Sequence, residues 1–213
     1  MVTQSNAADD PGDRGLARRK AFLKAARTVF LENGYENASV NDVVRLAGGS
    51  LATLYSQFGN KEGLFLEVAK EQHSLFARDS LPAAVDQLPF DDYLQAFGES
   101  FLHAALSREH LAFYRLFIGE GRKFPQLLQT YLSTGAAELR NLLSARIIEW
   151  AAENRFSVSK PDLTAAYFID LCRTRLHYQA LADGAFVATE LEIRDHVANA
   201  VTFFLRGLRG AGG

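Results

Sequence analysis

Two apolar segments, Val40–Ala47 and Leu51–Phe58, are separated by only Gly48-Gly49-Ser50. Each spans about two helical turns, well short of the roughly 12–15 residues at which an isolated helix becomes marginal in water. The pair is therefore expected to fold only against neighbours, and the flanking segments supply them. Over residues 18–32, Phe22, Ala25, Ala26, Val29 and Phe30 recur at the spacing of one helix face. Over 61–77, Leu64, Phe65, Val68, Ala69 and Phe76 form a second apolar side. Val43, Val44, Leu46, Leu54 and Phe58 are the side chains the short pair should turn inward. Asn33-Gly34 ends the first helix, because glycine accepts the left-handed conformation of a C-terminal cap. Ser39 and Ser50 are good N-caps for the two short helices, and Gly59-Asn60 bounds the second.

Helical periodicity continues to the end of the chain, with helices expected near 91–106, 108–119, 124–132, 135–153, 161–182 and 189–208. Gly121, Asn154, Pro161 and Gly184 lie at the breaks. Leu139, Leu142, Leu143, Ile147 and Trp150 make one stripe; Ile193, Val197, Ala200, Val201, Phe204 and Leu208 make another. Only the short Phe156–Val158 piece alternates as a strand would. The expected fold is all-α with about nine to ten helices: a flexible tail over 1–16, a three-helix helix-turn-helix module over 17–62, and a larger helical domain over 63–213. The 48% hydrophobic share of the 213 residues excludes a wholly disordered chain. No apolar run approaches the ~20 residues of a membrane span, and the acidic, polar start lacks a signal core, so a cytoplasmic protein is expected. The single cysteine, Cys172, excludes an intramolecular disulfide and a multi-cysteine zinc site, and reads as a buried small hydrophobe.

A pair of short helices at this spacing matches a helix-turn-helix, whose second helix enters the DNA major groove. Charge by position agrees. Residues 14–72 hold nine Lys/Arg against six Asp/Glu, a net +3 in a chain of net -2. Six of the nine are Arg14, Arg18, Arg19, Lys20, Lys24 and Arg27, a basic segment beside the motif. The stretch ARTVFLENGYENASVNDVVRLAGGSLATLYSQFGNKEGLF resembles the TetR family of transcriptional regulators. Phe30, Gly34, Tyr35, Ser39, Ala47, Gly48, Ser50, Thr53, Leu54, Tyr55, Phe58, Asn60, Lys61, Glu62 and Leu64 stand in the family's motif places. Gly49, Ala52 and Gln57 depart from it, replacing an apolar residue, a glycine and a His or Tyr.

The resemblance implies a DNA surface built from Ser39, Ser50, Leu51, Ala52, Thr53, Tyr55, Gln57 and Lys61. Ser39 and Ser50 combine helix capping with a phosphate contact, since free N–H groups at a helix start suit an anion. Tyr55 and Lys61 would meet phosphates. Leu51, Ala52, Thr53 and Gln57 are left for base edges, where Gln pairs with adenine and Thr or Ala meets a thymine methyl. Arg14, Arg18, Arg19 and Lys20 would either reach the adjacent minor groove or remain a solvated arm.

Farther on, HLAFYRLFIGEGRKFPQLLQTYL resembles the ligand-domain segment of one branch of the same family. That implies a mostly apolar effector cavity with a few orienting polar groups. The candidates are Phe101, His103, Tyr114, Phe117, Glu120, Trp150, Phe168, Asp170 and His177. The resemblance also implies a homodimer through the last two long helices, with Val197 and Phe204 facing the partner, and a palindromic DNA operator. The implied function is a ligand-responsive regulator, by family habit a repressor, released by a small hydrophobic effector. The alternative is a small-molecule-binding helical protein or an enzyme without DNA function. Against an enzyme, the chain lacks G-x-S-x-G, a phosphate loop and H-E-x-x-H. Its five histidines show no i, i+4 metal pairing. A Glu120–His177 acid–base pair has no support from spacing, and no cofactor or metal is expected.

Overall fold

The computed structural model describes residues 11–81, 88–155 and 157–210. Among the described residues there are ten helices and no strands. They are α1 (Pro11–Asn37), α2 (Val40–Ala47), α3 (Leu51–Phe58), α4 (Lys61–Asp79), α5 (Phe90–Leu106), α6 (Arg108–Glu120), α7 (Pro125–Glu153), α8 (Pro161–Arg173), α9 (Leu176–Ala182) and α10 (Glu190–Gly210). Contacts divide the chain into two compact units, residues 1–69 and 70–213. Residues 1–10 of the expected tail, and Phe156 of the alternating piece, lie outside the described residues. Pro11–Leu16, the rest of that tail, are helical as the start of α1.

The first unit buries the faces the periodicity marks. Phe22, Ala25, Ala26, Val29 and Phe30 of α1 are buried, as are Leu54 and Phe58 of α3 and Leu64, Phe65 and Val68 of α4. Edge-on ring contacts tie the layers: Phe22 to Phe58 at 6.3 Å and Phe30 to Phe65 at 4.9 Å. The regular α1 breaks at Gly34 (φ 74°, ψ 171°), where the end of the first helix is expected. One inward assignment fails. In α2 only Val43 is fully buried, and Leu46 is 59% exposed. The less exposed stripe of α2 runs along Val40, Val43, Val44 and Ala47, and Leu46 falls beyond its edge.

The second unit has one core, built where α5, α7, α8 and α10 meet. Phe97, Phe101, Leu143, Ile147, Phe168, Cys172 and Val197 are among its members. Three expectations are corrected. Residues 124–132 and 135–153 are one helix, α7, with Pro125 at its start, where a proline loses nothing. The expected helix 161–182 is two, α8 and α9, because the chain turns sharply at Arg175 (φ 57°, ψ -76°). That residue is the centre of a γ-turn closed by Leu176 N–H donating to Thr174 O at 2.7 Å. Finally, Val197 and Phe204 do not face outward. They are 0% and 6% exposed, packed into the unit's own core. The outer side of α10 carries Phe203, 69% exposed. Leu142, assigned to the α7 stripe, is also exposed.

Candidate DNA-binding surface and effector cavity

The turn between α2 and α3 depends on glycine. Gly49 has φ +102°, and a Cβ there would stand 3.1 Å from Phe22 Cζ. An apolar side chain at this place would be strained and would press on the core. Arg18 lies over the same turn, its guanidinium donating to Ala47 O, the last residue of α2. Ser39 starts α2, its hydroxyl accepting from Asn41 N–H at 3.2 Å. Ser50 starts α3 in the same way, accepting from Thr53 N–H at 3.1 Å, with the two hydroxyls 2.9 Å apart. Both serines therefore cap.

On α3, Leu51, Ala52, Thr53 and Tyr55 are exposed, Tyr55 at 44%. Leu54 and Phe58 hold the opposite side in the core, so these four share an outer surface with Ser56, which the sequence reading left out. Its signal was the helical period itself, since Ser56 follows Ala52 and Thr53 at i+4 and i+3. Gln57 stands differently. It is half-buried, and its Oε1 is buried without a hydrogen-bond partner. Lys61 donates to Glu36 O at 2.8 Å with its ammonium 4.9 Å from the Tyr35 ring centre. Arg19 is drawn inward as well. It pairs with Glu67, donates to Gln57 O and lies over the Phe58 ring at 4.6 Å. Of the supposed groove-reaching arm, then, Arg18 and Arg19 both have work inside the unit.

The effector candidates separate into two sets. His103 is on the surface, its Nε2 3.1 Å from Glu190. Asp170 is exposed and faces Arg173 at 3.9 Å. Trp150 stacks on Phe90 at 4.6 Å, Phe168 sits between Phe97 and Phe204, and Glu120 ends α6 half-buried. The others gather about a residue not among the candidates, His110. Its ring stacks on Phe76 at 4.2 Å, and Phe76 meets Phe101 at 5.7 Å. Tyr114 and His177 lie 6.1 and 6.2 Å from it, and 5.0 Å from each other. Phe117 stacks on Phe113.

Gln72, His73, Phe76, Ala104, His110 and Phe113 are among the residues enclosing a cavity of about 280 Å³ here. That is near the small end of the roughly 300–1,000 Å³ range of ligand sites. Burial lowers the His110 pKa to about 3, with further contributions from His177, Arg173 and His73. Burial likewise lowers His177 to about 4, helped by Arg173 and Arg115. Both imidazoles are neutral at physiological pH. The buried nitrogens Gln72 Nε2, His110 Nε2, and His177 Nδ1 and Nε2 have no hydrogen-bond partner. Sequence alone gave no sign of this cluster, because its members come from α4, α6 and α9 at unrelated spacings. Among the described residues, no group of three or more His, Cys, Asp or Glu is placed to hold a metal ion. Cys172 is buried and its thiol pKa is raised by that burial.

A larger apolar groove, about 570 Å³, runs between α8 and α10. Tyr167, Leu171, Phe203, Gly207 and Leu208 line it, together with Asp170.

Residues 22–68 match the family described as bacterial regulatory proteins, tetR family, and residues 92–207 match the AefR-like transcriptional repressor C-terminal domain. The repressor AcnR of Corynebacterium glutamicum is 38% identical over 66 residues, 31% of this chain and 35% of AcnR. The chain thus matches only about a third of that relative's length. Among solved structures, the flavonoid-responsive regulator FrrA is 29% identical with a TM-score of 0.76, over 89% of this chain and 96% of FrrA. A protein from Mesorhizobium loti MAFF303099 assigned to the TetR family shares the fold, with a TM-score of 0.75 at 21% identity over 91% of this chain and 98% of that one. Among the described residues, no helix is long and apolar enough to cross a membrane.

Proposed function

The chain belongs to the TetR family, whose members are DNA-binding transcriptional regulators rather than enzymes, and on that premise we propose a ligand-responsive repressor that binds a palindromic operator as a homodimer. The observation that carries the reading is the outer surface of α3. Leu51, Ala52, Thr53, Tyr55 and Ser56 stand exposed on a helix whose start is capped by Ser50 and whose back is anchored by Leu54 and Phe58. Such a surface presents hydroxyls and methyl groups to base edges. Tyr55 adds a phosphate contact. Lys61, at the start of α4, reaches a phosphate as well. Ser39 offers its capping hydroxyl beside the N–H groups of α2. Gln57 contributes to base readout only after its carboxamide turns outward.

The homodimer joins through α8 and α10. Support comes from the exposed aromatic groups on these helices, Tyr167 at 58% and Phe203 at 69%, beside the apolar groove. A two-fold pair would address two half-sites about 34 Å apart. The effector enters the second unit at the cavity beside His110, near Phe101, Tyr114, Phe117 and His177. FrrA, whose name marks it as flavonoid-responsive, supports an aromatic effector. An effector that binds a DNA-incompetent state more tightly by ~3 kcal/mol lowers DNA affinity by about two orders of magnitude. The protein acts where the DNA is, in the cytoplasm.

The test is binding to a labelled fragment of the DNA upstream of its own coding sequence. Thr53→Ala combined with Ser56→Ala should abolish sequence preference. Lys61→Ala should weaken all sequences alike and flatten the salt slope by roughly 0.9. An unaltered preference in the double variant would refute the role given to α3.

A further inference from the structure

The cavity beside His110 holds an unusual pairing of walls and polar atoms. Phe76 and Phe113 make its faces aromatic, while Gln72 Nε2 and His110 Nε2 are buried there with no hydrogen-bond partner. Behind His110, the His177 ring is fully buried with neither nitrogen bonded. Leaving such a group buried and unpaired is destabilising. An occupant that bridges Gln72 and His110 would remove that cost at the two side chains that line the cavity.

We propose that this cavity takes a neutral phenol, its ring lying against Phe76 and Phe113 and its hydroxyl bridging His110 and Gln72. The inference rests on the ligand-responsive reading above and names the chemical class of the effector. The phenol O–H donates to His110 Nε2, and the phenol oxygen accepts from Gln72 Nε2–H. With its hydrogen on Nδ1, a neutral imidazole presents a lone pair at Nε2, whereas an amide nitrogen presents only hydrogens. A group that both donates and accepts completes both.

Competing chemistries fit less well. A cation finds Asp79 and Glu109 in the lining, but it has no lone pair to accept from Gln72 Nε2–H and leaves that donor unpaired. An ionised carboxylate has no hydrogen to give the imidazole. It would also meet Asp79 and Glu109 in the cavity lining, where Arg78 is engaged by Asp79 at 3.0 Å. An aliphatic alcohol satisfies the polar atoms but forfeits ring-on-ring contact. Water does the same and leaves the aromatic walls bare.

Isothermal titration calorimetry of the full chain with 2-naphthol, 2-methoxynaphthalene and 2-naphthoate tests this. 2-Naphthol should bind about tenfold more tightly than its methyl ether, which cannot donate, and more tightly still than the naphthoate. His110→Phe keeps the stack on Phe76 and should cost 2-naphthol about tenfold while changing the ether less than about twofold. Gln72→Leu removes the donor to oxygen and should weaken both. Equal affinity for the three probes overturns the proposal, as does unchanged 2-naphthol affinity in both variants. Absence of heat with every probe overturns it in favour of water alone. DNA binding is measured separately without probes. If it persists while the phenol fails, the regulator reading stands and only the effector class falls. Naphthol binding by a protein that never binds DNA would instead overturn the regulator reading and the effector role with it.

Discussion

The two compact units treat their polar side chains in opposite ways. In the first, cations are tied down by the unit itself: Arg19 by Glu67, Arg18 by the Ala47 carbonyl, Lys61 by the Glu36 carbonyl. That leaves a defined outer surface on α3. In the second, polar nitrogens at Gln72, His110 and His177 are enclosed and left without partners. Apart from Gln57 Oε1, buried without a partner, the first unit is complete as it stands and offers its chemistry outward. The second keeps an incomplete polar site inside. A surface reader needs a rigid frame, whereas a responsive cavity needs something that binding can complete.

The sharpest way to break this contrast lies on α10. Val197→Glu places a carboxylate at a fully buried position and should cost more than about 4 kcal/mol, read as collapse of the urea midpoint. Phe203→Glu lies six residues on, on the exposed side, and should leave the midpoint within roughly 0.5 kcal/mol. Sedimentation should then show monomer in place of dimer. If both variants unfold the protein, α10 has no outer face to offer a partner.

Next in size is a pH effect confined to the second unit. His110 and His177 have folded pKa values below that of a free imidazole, about 3 and about 4. The unfolded chain therefore takes up their protons first. Stability from these groups is complete above about pH 6.5 and is lost as pH falls toward 4, by about 2–3 kcal/mol for His177. Urea midpoints at pH 7, 5.5 and 4 should fall more steeply in the native chain than in His110→Phe. Parallel slopes would show that His110 titrates normally.

The smallest effect belongs to the first unit. Gly49→Val forces a branched side chain into a positive-φ position 3.1 Å from Phe22, at a cost of about 2 kcal/mol. DNA affinity should fall with the melting temperature, and a variant that melts as before would show the turn can rearrange.

The same contrast explains what was legible in the sequence. The first unit is governed by local rules: a 3.6-residue period, Ser39 and Ser50 as caps, glycines between them. Those rules are written in neighbouring residues, so the exposed face of α3 could be read directly, with Ser56 overlooked. Gln57 misled because helical position says where a side chain starts and not where its carboxamide ends. The second unit is governed by packing. The α10 stripe was visible, but a stripe does not say whether its cover comes from the same chain or a partner, and Val197 and Phe204 proved to be covered by their own unit. The His110 cluster, drawn from three helices, was beyond any spacing argument. The Gly34 break was foreseeable; the one at Arg175 was not, since no glycine or proline marks it.

That turn at Arg175 carries a tension. A γ-turn with positive φ is a conformation an arginine adopts only under compulsion, at about 1–3 kcal/mol. The elbow between α8 and α9 is thus a spring held bent by the packing of Leu176 and His177, both fully buried. Glycine at 175 would slacken it, at the loss of the positive charge that acts on Glu192, and whatever tightens or loosens the grip on His177 pulls on the same spring.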